Sequence, residues 1–138
     1  MLPKTKGTSR RPERESLLGR TSSGYSQLVR LPNADRAVVE DAKVRDYLLS
    51  SSHPVGRFKS VFFIALGFSS EQWLLLRDAL LDQARKEDAA AGQPSPFGLK
   101  FEIRATLTGP TGRQASVVTV WMVLIGQNFP HFVTAYPG

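Results

Sequence analysis

The apolar positions of this chain change period twice. Up to about residue 30 they have none: Ser, Thr, Gly and Arg alternate without a stripe that could face a core. Leu31-Pro32-Asn33 then reads as a turn, and residues 34–39 as a short strand or the first turn of a helix. Over residues 40–49, Ala42, Val44, Leu48 and Leu49 fall at broadly helical spacing. Ser50-Ser51-Ser52-His53-Pro54 breaks that helix, because the residue before proline is pushed out of the α region. A second helix is predicted over residues 55–66, with Phe58, Val61, Phe62 and Ala65 as its inner face and Gly67 as its stop. Ser69 followed three residues later by Gln72 forms a capping box for a third helix, whose face is Trp73, Leu76, Leu80 and Ala84. Asp82 and Lys86 add a pair four residues apart in the favourable order. That helix runs out at residues 89–92, and residues 93–98, with two prolines, read as a loop.

Beyond residue 98 the period becomes two. Phe101, Ile103, Ala105 and Leu107 alternate with Lys100, Glu102, Arg104 and Thr106, the pattern of a strand with one wet face. Thr108-Gly109-Pro110-Thr111-Gly112 supplies a turn, residues 115–125 are apolar on both faces, and residues 132–136 make a further strand. The expected fold is α+β, with three N-terminal helices packed on one face of a three- to four-stranded antiparallel sheet. Residues 1–30 form a basic arm and residues 31–138 a single domain.

Composition changes this picture mainly through charge. The chain has 138 residues and a formal charge of +6, but residues 1–30 hold seven bases and two acids, whereas residues 31–138 hold eleven and ten. The high pI therefore belongs to the arm, which either keeps the protein dispersed or attracts nucleic-acid phosphate. The domain itself is nearly neutral. Cysteine is absent, which excludes disulfides, thiolate metal sites and a cysteine nucleophile. No secretory signal and no membrane-spanning run stands out, so a cytoplasmic protein without membrane association is expected, delivery to another cell remaining open.

Signatures of metal and nucleotide chemistry are missing. The two histidines, His53 and His131, lie outside any zinc-binding spacing, and there is no phosphate-binding glycine loop or nucleophile elbow. No cofactor is expected. The segment His53-Pro54-Val55-Gly56-Arg57-Phe58-Lys59 places an imidazole just before a helix start, where free backbone N–H groups favour an anion. Arg57 and Lys59 are its candidate phosphate- or anion-binding bases, and Lys43 on the preceding helix can join either. Against this stands a plain structural role, with His53 as a loop residue and the bases paired to Asp46 or to Glu40 and Asp41. A second cluster, Arg104, Thr119, Trp121, Thr134 and Tyr136 with His131, supplies the polar positions of the strands. It either holds RNA by stacking and phosphate contacts or packs its aromatics in the core.

The succession Leu31-Pro32-Asn33-Ala34, Tyr47-Leu48-Leu49, His53-Pro54-Val55-Gly56-Arg57-Phe58-Lys59, Leu66-Gly67, Gly109-Pro110-Thr111-Gly112-Arg113, Trp121 and Thr134-Ala135-Tyr136 resembles a family of small bacterial domains of unknown function. The resemblance spans residues 28–138. It implies a domain found free-standing or at the C-termini of polymorphic-toxin-like and phage-related proteins, and so a cognate immunity or partner protein. The order of elements also resembles, in layout, the barnase–EndoU–colicin–RelE class of metal-independent ribonuclease toxins. Two functions follow: a non-catalytic binding module for protein or nucleic acid, or a ribonuclease-like toxin domain. In the second, His53 is the acid/base, with Lys43 and Lys59 beside it, Lys43, Arg57 or Lys59 neutralising the phosphate and Thr134 or Tyr136 orienting it. An enzyme of another type stays open. A homodimer through an uncovered sheet edge is a further expectation.

Overall fold

A computed structural model describes residues 28–138. It opens not with helices but with a strand, β1 (Leu28–Arg30), followed by a 3₁₀ turn (Ala34–Arg36). Three helices occupy the middle of the chain: α1 (Asp41–Lys43, continuing into a π-helical turn Val44–Leu48), α2 (Arg57–Ala65) and α3 (Trp73–Lys86, preceded by a 3₁₀ turn Ser70–Gln72). Strands β2 (Asp88–Ser95), β3 (Gly98–Thr108), β4 (Gln114–Leu124) and β5 (Pro130–Pro137) follow. The sheet has five strands in the order β1-β2-β3-β4-β5, all antiparallel.

The expectation of three N-terminal helices on a three- to four-stranded sheet is thereby corrected, at both ends of the helical region. Leu28–Arg30, counted with the basic arm on sequence, pair with Asp88–Ala90. Their partner lies some sixty positions along the chain, so no local pattern announces it. Strand β2 has the sequence DAAAGQPS, poor in the β-branched and aromatic residues that strands favour. It becomes a strand because β1 and β3 flank it, and its register shifts between Ala91 and Pro94. A proline, which has no N–H for the ladder, is tolerated beside such an irregularity.

Strands β3 and β4 pair without interruption from Gly98↔Leu124 to Thr108↔Gln114. One face of this hairpin carries Phe101, Ile103 and Leu107 with Val117 and Trp121, all buried against Val44, Leu48, Phe63, Leu76 and Leu80 of the helices. Trp121 meets Phe132 edge-on at 5.4 Å. Val44 and Leu48 are fully buried four residues apart. Helix α3 buries Leu76, Leu80 and Ala84 as its spacing predicts, and Ser69 accepts the Gln72 backbone N–H at 3.3 Å, one half of the expected capping box, at the 3₁₀ turn that leads into α3.

Helix α2 turns the other way from its predicted face. Ser60 and Phe63 are buried with Leu66 beyond them, whereas Phe58 and Val61 are each 71% exposed. The sequence RFKSVFFIA carries apolar residues on most sides, so its periodicity does not single out one stripe. Close contact decides instead. A Cβ on Gly56 would lie 1.9 Å from the Tyr47 carbonyl oxygen, so α1 and the start of α2 meet backbone to backbone. At the other end a Cβ on Gly109 would lie 1.7 Å from the Leu66 carbonyl oxygen. These two glycines set the azimuth of α2.

The outer edge of β5 is partly covered, since Val38 bridges to His131 in parallel. Among the described residues no helix is long and apolar enough to cross a membrane.

Candidate functional site

Helices occupy one face of the sheet, and alternation sends every second side chain of each strand to the other. On β3 these are Glu102 and Arg104. Register places Glu102 in one row with Leu28, Ala90, Val120 and Thr134, and Arg104 in the next row with Val118 and Tyr136. Val118 and Val120 are buried yet lie outside the main core.

Above those two valines the polar groups meet. The Tyr136 hydroxyl donates to Glu102 Oε2 at 3.1 Å, reaching diagonally across β4. Lys59 of α2 brings its Nζ to 5.4 Å from the Tyr136 ring centroid, a cation–π contact. Burial pushes the Tyr136 phenol above its ordinary range, and the charge and hydrogen bond of Glu102 push the same way. Arg104 opposes them. The phenol therefore keeps its proton at neutral pH. Arg104 is exposed and makes no ion pair among the described residues. Thr134 Oγ1 is buried and has no hydrogen-bond partner among the described residues.

This face continues into a groove of about 480 Å³ lined by Leu28, Glu87, Asp88, Ala90, Glu102 and Arg104. Asp88 faces Arg30 at 3.8 Å, an exposed pair. Arg30 also donates to the Lys86 carbonyl at 2.6 Å and to that of Arg85, joining β1 to the end of α3.

The other residues singled out from sequence are distributed differently. His53 stands before α2, where its Nδ1 accepts the backbone N–H groups of Val55 at 3.0 Å and Gly56 at 2.9 Å. Its ring meets Tyr47 edge-on at 5.0 Å. Nδ1 is thus an acceptor that serves the helix start, as an N-cap side chain does. Lys43 Nζ donates to the Val133 carbonyl at 3.3 Å, joining α1 to β5. Arg57 lies over the Phe58 ring at 4.6 Å, on the exposed side of α2. Thr119 and Trp121 point to the core side, where the indole N–H donates to Thr119 Oγ1 at 2.9 Å in full burial. His131 contacts Gln127 Oε1 at 2.6 Å and the Phe129 ring at 4.9 Å.

Lys59, Arg104, Thr134 and Tyr136 therefore share the open face, and Glu102, which the sequence reading passed over, joins them. Its signal was present in the wet positions of β3, two residues before Arg104. Among the described residues no three His, Asp or Glu side chains gather as a metal-binding group.

The fold defines a class: a small α+β domain with an antiparallel sheet, helices on one face and a charged, tyrosine-bearing opposite face. A chain of a contact-dependent growth inhibition toxin–immunity protein complex from Klebsiella pneumoniae 342 has a similar fold. Its TM-score is 0.56 at 14% identity, over 75% of this chain and 95% of that one. A family model described as a domain of unknown function, DUF6883, matches residues 30–138, and the chain belongs to that family. No curated protein matches.

Proposed function

We propose that the domain is a ribonuclease-like, toxin-related module whose reaction centre is the open sheet face at Glu102, Tyr136, Arg104 and Lys59. The observation that carries this reading is the hydrogen bond from Tyr136 to Glu102, with two cations beside it. Cleavage of RNA by its own 2′-hydroxyl needs a base, an acid and positive charge at the phosphate. Glu102 takes the 2′-hydroxyl proton as O2′ attacks phosphorus. The P–O5′ bond breaks, and the leaving O5′ takes the phenolic proton of Tyr136. The proton held by Glu102 then returns to Tyr136 along their hydrogen bond. The products are a 2′,3′-cyclic phosphate and a 5′-hydroxyl. Arg104 and Lys59 offset the charge gathered on the phosphate. The fold shared with a chain of a toxin–immunity complex supports a toxin-related setting, in which an immunity protein is the partner.

The test is incubation of the purified chain with single-stranded RNA in EDTA. Fragments ending in a cyclic phosphate, absent for DNA of the same sequence and for Glu102→Gln, are expected. RNA left intact by the wild type would sink the proposal.

One observation favours a protein-binding role alongside it. Val55 just before α2, and Phe58, Val61 and Ile64 on it, are exposed between 48% and 71%, with Arg57 beside them. Apolar stripes of this kind mark contact surfaces. Loss of binding to a purified cognate partner in Phe58→Ser/Val61→Ser, with unchanged RNA cleavage, is its expected signature.

A further inference from the structure

The groove beside the reaction centre has its own chemistry. Its floor at the sheet is apolar, Leu28 and Ala90, and it shares Glu102 and Arg104 with the centre. Its far wall is Glu87 and Asp88, where α3 gives way to β2. Glu87 gives its backbone N–H to the Gln83 carbonyl at 2.9 Å, but its carboxylate makes no hydrogen bond or ion pair among the described residues, and Asp88 is only loosely paired to Arg30. At about 480 Å³ the groove is of small-ligand size. From Lys59 to Glu87 the face thus runs from cationic to carboxylate-lined.

We infer that this groove takes the base of the nucleotide whose 2′-hydroxyl meets Glu102, and that it selects guanine. The inference rests on the ribonuclease reading of the same face. If O2′ lies at Glu102 and the phosphate at Arg104 and Lys59, the base attached to that ribose falls over Leu28 and Ala90. Its edge then meets carboxylates, which accept hydrogen bonds and donate none. Guanine alone among the four bases offers two adjacent donors, the ring N1–H and the 2-amino group, and a carboxylate accepts both in parallel. Adenine and cytosine set one amino group beside an unprotonated ring nitrogen, which a carboxylate repels. Uracil sets one N–H between two carbonyls. Charge-assisted bonds of this kind are the strong ones, and a bidentate pair separates right from wrong bases by about tenfold to a hundredfold.

The test uses binding as well as cleavage, so that the two readings fail separately. Isotope-labelled protein is titrated with guanosine 3′-monophosphate and with adenosine 3′-monophosphate, reading backbone amide shifts. Binding of the guanine nucleotide about tenfold or more tighter, with shifts centred on Ala90 and Glu102, is expected. Glu87→Gln and Asp88→Asn should bring the two affinities together. Equal affinities in the wild type, shifts centred elsewhere, or a preference untouched by both substitutions would overturn the inference. Cleavage of the dinucleotides GpA, ApA, CpA and UpA is measured in parallel. Equal rates overturn the guanine site and leave the nuclease; no cleavage with preferential guanine binding overturns the nuclease and leaves the site.

Discussion

Tyr136 on strand β5 donates its hydroxyl to Glu102 on strand β3 at 3.1 Å, bridging over Val118 and Val120 of the strand between them. The pair lies on the side of the sheet away from the main core, and neither residue belongs to the core cluster. A half-buried phenol beside a carboxylate is an acid held next to its own base.

Removing either half should therefore damage cleavage more than folding. Glu102→Gln and Tyr136→Phe keep the shapes, and each is expected to lower kcat by about 10²- to 10⁴-fold. The double variant should fall little further, because residues that act as a unit are not additive. Thermal unfolding of each variant checks the other side. A Tm loss large enough to unfold the domain at the assay temperature would assign the pair to stability.

The phenol itself can be followed. Tyr136 titrates above the ordinary tyrosine range, chiefly through burial and then through Glu102. Its absorbance step near 295 nm should come later than that of a tyrosine in solution, and Glu102→Gln should move it down only part of the way. The folded state holds this proton more tightly than the unfolded chain. Stability from Tyr136 is therefore complete below the unfolded value of about 10 and is lost as pH rises through the folded one. A step unmoved by Glu102→Gln would show that the two groups are not coupled.

How much of this was legible in the sequence depends on how local each signal was. The alternation of β3 and the face of α3 are written in near neighbours and stand in the structure, and of the capping box the Ser69 half is present, capping the 3₁₀ turn that leads into α3. Strands β1 and β2 are not, since they exist through pairing between Leu28–Arg30 and Asp88–Ala90. The face of α2 was hidden by surplus hydrophobicity, and the contact at Gly56 that resolves it is backbone to backbone. The polar strand positions split by parity. Arg104, Thr134 and Tyr136 share one face, while Thr119 and Trp121 share the other. Glu102 had the right parity all along, but only the cross-strand register shows Tyr136 within reach of it.

The Thr119–Trp121 pair makes a prediction of its own. Both side chains are fully buried, and the indole N–H has Thr119 Oγ1 as its acceptor at 2.9 Å. Thr119→Val conserves volume and leaves that N–H without a partner. Destabilisation of about 1–3 kcal/mol is expected, the penalty of an unsatisfied buried donor, with RNA cleavage at permissive temperature unchanged. Chemical denaturation measures it, and a variant as stable as the wild type would mean that the indole finds another acceptor.

His53 separates the two sites weighed from the sequence. Its Nδ1 already accepts two backbone N–H groups at the start of α2, those of Val55 and Gly56, so that nitrogen is not free to take a proton from a substrate. A capping role predicts that His53→Ala loses about 0.5–2 kcal/mol of stability. His53→Asn, whose side-chain oxygen can accept in the same place, should recover part of it. Neither variant should change kcat at a temperature where both are folded, because the proton transfers run through Glu102 and Tyr136. Denaturation curves and single-turnover cleavage of the same preparations decide the matter. A collapse of kcat in His53→Ala with stability intact would move the reaction centre to the head of α2 and away from the sheet.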